Sequence, residues 1–493
     1  MNRSAGILMP IFSMPGPYGI GTLGSEARAF VDFLQAAGQQ WWQILPVGLI
    51  GAGDSPYASP STFAGNPLFI DLEQLALAGL LDRSDLNSVR VPEGGRIDYA
   101  AVKAGREPLL RKAFSRVSGG LAQNVREFAE RNAWVKDYAL FQAAHDHFGC
   151  PWYEWEDESL RRHEWYAVEF WRRKLAVEVA YHTCVQYWFF QQWSSLRRYA
   201  NSMGVKIIGD IPIYVSLDSA DVWSEREQFL LDEEGRPSKV AGVPPDYFSA
   251  EGQLWGNPLY NWDHMKADGF GWWIRRVGGA IQLFDVIRID HFRGLESYWA
   301  VPADAATAME GHWEKGPGMD LMRVLTTWFW DKDVGYIAED LGTLTDAVHR
   351  LREESGLPGM KVLQFAFDTP YNAYLPHNHA KHGICYTGTH DNNTLVGWYN
   401  EAKDEEKAFA KDYLGVEGAE EFRKAVIRAG QGSVANLFVT QMQDYLALDG
   451  DGRINIPGSA KGNWGWRMAS GAATEELAKE IRKLTYTFGR CEA

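Results

Sequence analysis

The sequence predicts a (β/α)8 TIM barrel carrying a mainly helical insertion and long loops over the C-terminal face of the barrel. Three observations predict it. Short apolar strands alternate with helical stretches, the pattern of parallel α/β architecture. The strand candidates come close to eight in number. Several carry acids at or beside their C-terminal ends, where a barrel of this kind keeps its chemistry.

In order, the strand candidates are GILMPI at 6–11, WWQILPV at 41–47, VKIIGDIPI at 205–213 and FDVIRID at 284–290, then VGYIAED at 334–340, MKVLQFAF at 360–367, ICYTGT at 384–389 and NLFVTQM at 436–442. Each is rich in β-branched or aromatic residues and is bounded by turn formers. Between 73 and 204 the pattern changes to long runs with apolar residues at three- and four-residue spacing, such as LRRHEWYAVEFWRRKLAVEVAYHTCVQYWFFQQWSSLRRYA. That is a mainly helical insertion. The block 216–276 is polar and aromatic with few strands, as expected of a loop-rich insertion covering a cleft. No fixed-period repeat or low-complexity tract interrupts the chain, so 1–493 reads as one catalytic barrel with insertions.

Composition narrows the partners. With 46% hydrophobic and 23% charged residues the chain is a folded globular one, which excludes a fibrous or disordered class. A net charge of −15 argues against nucleic acid, whose recognition rests on a basic surface. Cys150, Cys184, Cys385 and Cys491 form no C-x-x-C pair, so a reducing, cytoplasmic setting is expected rather than a disulfide framework or zinc ribbon. AGILMPIFSM has only Arg3 before it and is broken by Pro10, which suits a first strand better than a signal peptide. No apolar run reaches the roughly 20 residues of a membrane span.

The stretch DVIRIDHFRG breaks the rule of a buried strand, because Arg288 and Asp290 stand among Val286, Ile287 and Ile289. Residues two apart face the same side of a strand, so the guanidinium and the carboxylate point together. Arg288 then favours the ionised acid, and an ionised, positioned carboxylate is a nucleophile. A buried ion pair closing the strand is the competing reading. GYIAEDLG ends another strand with Glu339 and Asp340, YTGTHDNNTL a third with His390 and Asp391, and IIGDIPIYV holds Asp210 at a similar position. Glu339 follows Tyr336, Ile337 and Ala338, an apolar approach that raises a carboxyl's pKa. Two acids in divergent environments are what a retaining glycosyl transfer needs, one to attack and one to give a proton.

The strings DIPIYVSLDSADVW, PPDYFSAEGQLWGNPLYNW, VIRIDHFRGLESYWAVP, YIAEDLG and TGTHDNNTLVGW resemble those of glycoside hydrolase family 77, the 4-α-glucanotransferase (amylomaltase) family of the α-amylase superfamily. DSPYASPSTFAGNPLFIDL before them and INIPGSAKGNWGWR after them extend the resemblance over nearly the whole chain. It implies Asp290 as nucleophile, Glu339 as acid/base and Asp391 as the acid that grips sugar hydroxyls and steadies the transition state. It also implies that Arg288 and Asp210 orient the nucleophile and that His390 meets the sugar. The implied activity is α-1,4-glucan disproportionation through a covalent glucosyl-enzyme, with maltooligosaccharide or glucan donors, glucose or glucan acceptors, and cyclisation of long donors as a further expectation.

Loop 248–262 sets Trp255 and Tyr260 among Gly, Asn and Pro, poor core sequence and good rim sequence. By the resemblance, Trp255 is a sugar platform, and Ser55, Tyr57 and Asn463 are donor-side sugar contacts. No set of His, Asp and Glu has transition-metal spacing and no EF-hand-like loop occurs, so no metal and no cofactor is expected. A hydrolase using the same acids remains open, as does a non-catalytic glucan-binding barrel, which would be expected to have lost an acid.

Overall fold

The computed structural model describes residues 2–92, 94–245, 250–342, 344–459 and 461–492. In chain order its strands are β1 (Ser4–Leu8), β2 (Trp41–Gln43), β3 (Lys206–Ile211), β4 (Lys239–Val243), β5 (Gln253–Pro258), β6 (Val286–Ile289), β7 (Ser297–Pro302), β8 (His312–Lys315), β9 (Gly335–Ala338), β10 (Gly359–Val362), β11 (Gly383–Tyr386) and β12 (Leu437–Gln441). Eight form one sheet in the order β10-β11-β12-β1-β2-β3-β6-β9, and every pairing in it is parallel. These are the eight strands read from the sequence. Most end earlier than their apolar runs do, because the chain leaves the ladder at the mouth of the barrel.

Closure is made by side chain as well as backbone. Ala338 N donates to Pro358 O at 3.0 Å, and Met360 N donates to Asp340 Oδ1 at 2.6 Å, joining the end of β9 to β10. Arg352 Nη1 lies 3.4 Å from the other Asp340 oxygen. Asp340 is therefore a clasp of the barrel, while its neighbour Glu339 turns to the mouth. Phe284 also sits tightly against β3: a Cβ on Gly209 would lie 2.1 Å from its ring, so only glycine lets the two approach.

Between β2 and β3 run the helices Tyr99–Ser115, Gly119–Arg131, Trp134–Phe148, Glu158–Arg161, Trp165–Lys174 and Ala176–Ser202. The long run read as continuous from 160 onward is three helices, broken where His163 takes φ 55° and again at Leu175. The last helix returns to the barrel. Trp193 Nε1 donates to Leu283 O at 3.1 Å and Arg197 Nη2 to Phe284 O at 2.9 Å, so it doubles as the crossover into β3. Trp152, Trp155, Trp188, Trp193 and Trp223 are fully buried in and around this insertion. Much of the aromatic excess is thus packing, where large rings bury the most area per residue.

The block 216–276 holds more strand than its composition indicates. β4 and β5 pair antiparallel and join β7 and β8 in a second sheet of order β5-β4-β7-β8. β5 reads as loop because Gly256, Asn257 and Pro258 are poor strand formers, and its pairing with β4, not propensity, fixes it. Asp246, Tyr247, Phe248 and Ser249 lie outside the described residues, the last two being the first of the predicted rim loop 248–262. Among the described residues, no helix is long and apolar enough to cross a membrane.

Candidate active site

Parallel pairing of β3 with β6 puts Asp210 opposite Arg288. Arg288 Nη1 donates to both Asp210 oxygens, at 2.8 and 2.6 Å, and to Asp290 Oδ1 at 2.9 Å. Side-chain exposure grades outward, from 0% for Asp210 and 4% for Arg288 to 27% for Asp290. Burial works against the guanidinium's charge, yet Asp210 and Asp290 outweigh it and hold its pKa well above the ordinary value. Burial pushes Asp210 up while Arg288 opposes it. Arg288 thus fixes Asp290 Oδ1, and Asp290 is the most exposed side chain of the three.

Glu339 leaves β9 beside this group. Its backbone ties to β6 in two places, Glu339 N to Ile289 O and Phe292 N to Glu339 O, both at 3.1 Å. His291 N donates to Oε2 at 2.7 Å and Leu341 N to Oε1 at 2.9 Å. The turn that aims the first of these takes His291 to φ 49°, a left-handed conformation that costs a non-glycine residue about 1 kcal/mol. The residue after Asp290 thereby positions the second carboxyl. Burial lifts the Glu339 pKa to about 7 against the pull of Arg288, with the Asp290 charge adding to the rise. Near neutral pH this group exchanges a proton freely, as a general acid/base must. Burial also lowers His291 to about 4, so its ring is neutral, and it meets Trp255 edge-on at 4.8 Å.

The third acid comes from the loop after β11. Asp391 Oδ1 accepts from Asn455 Nδ2 at 2.6 Å and lies 3.4 Å from His390 Nε2, while Arg453 Nη2 holds the Asp391 carbonyl at 2.6 Å. Asp391 is 44% exposed and His390 4%. Behind them Tyr57 stacks on His390 with centroids 5.0 Å apart, and both rings lie near Trp464, at 5.7 and 5.8 Å. Tyr57 Oη donates to Asp210 Oδ2 at 2.7 Å, and its pKa is driven well up by burial, so it serves as a donor. This bond links the loop after β2 to the Arg288 network.

Asp290, Glu339, Arg288, Asp210, Tyr57 and His390 thus form one connected group, with Asp391 at its edge. Ser55 is further out: its Oγ accepts from Tyr57 N at 3.2 Å and shapes the turn that presents Tyr57. Asn463 braces its own loop, accepting from Ile456 N at 3.0 Å and donating to Ser459 O at 2.8 Å. Trp255 is 37% exposed, as a rim ring would be. Tyr260 is not. It is 1% exposed, donates to Ile213 O at 2.6 Å and packs against Trp272 and Trp273, which corrects its reading as rim.

Sequence reasoning passed over Trp464, Asn455, Arg453 and His291. The first three lie in or beside the INIPGSAKGNWGWR string, where the Trp between glycines was the available signal; the backbone role of His291 left none. Among the described residues one set of potential metal ligands gathers, Asp146, Glu178 and His182 within 4.8 Å of one another. It lies in the helical insertion, away from the strand ends, and Arg111 Nη1 already occupies Glu178 at 2.8 Å.

Comparisons with known proteins fit this geometry. A family model described as 4-alpha-glucanotransferase, glycoside hydrolase family 77, matches residues 9–473. A 4-alpha-glucanotransferase of Thermus thermophilus is 48% identical over 496 residues, 98% of each chain. One of Clostridium butyricum is 44% identical, covering 98% of this chain and all of the other. The solved structure of an amylomaltase from Streptococcus agalactiae, in complex with acarbose, superposes with a TM-score of 0.96 at 40% identity, covering 99% of this chain and 100% of that one.

Proposed function

This chain belongs to the 4-alpha-glucanotransferases of glycoside hydrolase family 77 and is a glucan-transferring enzyme, and we propose that it acts by a retaining double displacement through Asp290 and Glu339. In the first step the free Asp290 oxygen attacks the anomeric carbon, the glycosidic bond breaks, and protonated Glu339 gives its proton to the departing 4-oxygen. In the second, ionised Glu339 takes the proton of an incoming 4-hydroxyl, whose oxygen displaces Asp290 from the same carbon. The observation that carries the reading is geometric, Asp290 clamped through one oxygen by Arg288 beside a Glu339 carboxyl held by His291 N and Leu341 N; burial lifts that carboxyl to about 7, where it serves in both directions.

The other residues take supporting roles. Arg288 orients Asp290, Asp210 holds Arg288 in place, and Tyr57 holds Asp210. Asp391 accepts from sugar hydroxyls and steadies the oxocarbenium-like transition state, with His390 beside it. Trp255 offers a flat apolar face to an acceptor ring, while Ser55 and Asn463 serve donor-side hydroxyls or the loops that meet them. Donors are α-1,4-glucans and maltooligosaccharides and acceptors are glucose or glucan; long donors also close on themselves. The region 73–204 acts as a helical part of one catalytic unit, 216–276 covers the cleft, and the enzyme works in the cytoplasm.

Incubation with maltotriose, following chain lengths and total reducing ends together, tests the proposal. Glucose and longer oligomers at constant reducing ends support transfer. Rising reducing ends without longer products would make the chain a hydrolase, and unchanged maltotriose would leave only a binding role.

A further inference from the structure

We propose that Asp444, a buried acid outside the reacting group, is a positioning residue whose carboxylate closes the segment 387–395 from both ends and so sets Asp391 against the sugar. The inference rests on the reading of Asp391 as the acid that grips sugar hydroxyls, and it concerns what holds that acid in place.

β11 and β12 pair in parallel, so the residues that follow the two strands lie side by side. After β11 come Thr387, the loop with His390 and Asp391, and the helix Leu395–Glu401; after β12 comes the short helix Met442–Tyr445, which carries Asp444. Asp444 Oδ2 accepts from Thr387 Oγ1 at 2.6 Å, and Oδ1 accepts from Leu395 N at 2.7 Å. Thr387 Oγ1 in turn accepts from Gln441 N at 3.2 Å, so its proton is committed to Asp444. One carboxylate therefore ties the entrance of the loop to its exit. Between these ends, Gln364 Nε2 and Gln441 Nε2 both donate to Asn393 O, at 2.7 and 3.1 Å. A Cβ on Gly388 would lie 2.5 Å from Gln441 Nε2 and 2.7 Å from Gln364 Nε2, so the loop packs directly onto these donors.

The place calls for an ionised acid. Two donors arrive from opposite ends of the loop, and a carboxylate offers an acceptor to each, whereas an amide turns its NH2 toward one of them. Asp444 is buried, and burial pushes its pKa up to about 6 against Thr387, Leu395 N and Arg423, which leaves it ionised near neutral pH. Arg423 is otherwise engaged: Nη1 donates to the Asp444 carbonyl at 2.8 Å, and Nε and Nη2 hold Glu420 at 2.8 and 2.6 Å. The oxygens of Asp444 are thus spent on the loop. Asp391 is half-exposed, so its aim depends on the backbone that carries it.

Maltotriose kinetics and amide hydrogen exchange of the full chain, read by mass spectrometry, test the clamp. Asp444→Asn is expected to lower transfer about 10- to 100-fold, in kcat more than in KM, and to speed exchange across 387–395 while the other barrel strands keep their protection. On an Asp391→Asn background the same change is expected to cost about twofold or less, because the residue it aims is already lost. Thr387→Val, which removes one tie and keeps the shape, carries the test if Asp444→Asn does not fold; it should show both changes more weakly, and Thr387→Ser should recover most of what Thr387→Val loses. Unchanged exchange across 387–395, or an equal loss of transfer with and without Asp391, would overturn the proposal. If Asp391→Asn alone transfers normally, the reading of Asp391 fails, and exchange across 387–395 still decides the clamp: faster in Asp444→Asn supports it, unchanged overturns it.

Discussion

Asp285 and Asp290 flank the two ends of β6, and their surroundings make one a clasp and leave the other, in the proposed mechanism, as the nucleophile. At the N-terminal end, Asp285 Oδ1 accepts from Arg197 Nη2 at 2.7 Å and Nε at 3.3 Å, and Oδ2 from Ile207 N at 2.8 Å and Asn201 Nδ2 at 3.0 Å. At the C-terminal end, Asp290 is held by Arg288 at 2.9 Å on one oxygen. A carboxylate whose lone pairs are all committed stabilises the fold; one with an unspent oxygen at an open mouth is available to a substrate. Glu339 and Asp340 differ by placement instead: Asp340 is buried and ties β9 to β10, while Glu339, held by two backbone N–H groups, lies beside the Arg288 network.

The comparison breaks or holds on substitution. Asp290→Asn should lower transfer by more than about a thousandfold with an unchanged melting temperature. Asp285→Asn should do the reverse, costing about 2 kcal/mol of stability with transfer retained in the folded fraction. Chain-length analysis beside thermal unfolding reads both, and loss of transfer in a stably folded Asp285→Asn chain would collapse the distinction.

Next in size, Glu339→Gln should slow transfer from ordinary glucans by about 10²–10⁴-fold. An α-glucosyl fluoride, whose leaving group needs little acid help, should still glycosylate Asp290, and mass spectrometry of the intact chain reads the adduct. Asp340→Asn should show no such dependence on donor, only a lowered melting temperature.

The pH dependence sharpens the same contrast. Folding raises the Glu339 carboxyl from 4.5 to about 7, so the protonated form is the one the fold favours. Its contribution to stability is whole below about pH 4.5 and is lost as pH rises through about 7. Glu339→Gln, which cannot ionise, should therefore gain stability relative to the native chain across that window, in denaturant titrations at stepped pH. Transfer at low substrate should fall on the alkaline side of about pH 7 as the free enzyme loses its acid; an unchanged rate there would count against Glu339 as the proton donor.

The smallest effect concerns how the network is ordered. Tyr57→Phe keeps the ring stacked on His390 and removes the bond to Asp210, worth about 1 kcal/mol, so turnover should fall about fivefold. A change confined to apparent affinity would instead make Tyr57 a sugar contact alone.

Much was legible in the sequence because it depends on local pattern. Short apolar runs alternating with helical stretches give the eight strands, and Arg288 and Asp290 share a face because strand geometry requires it. The apolar approach to Glu339 marks a carboxyl with a raised pKa. Other features were not legible. β5 is a strand only because β4 lies beside it. Tyr260 has the sequence surroundings of a rim residue, yet Trp272 and Trp273 of a later helix bury it.

The sequence by itself determined the barrel, the order of its strands and which residue types stand at their ends. Tertiary structure decided which acids are free to react. The donors that commit Asp285 arrive on the helix Ala176–Ser202 and on β3, those that commit Asp340 on β10 and the helix Asp346–Glu354, and the Glu339 bond from His291 comes across the sheet. A side chain's reactivity is set by the polar groups and water around it, and those come from distant parts of the chain.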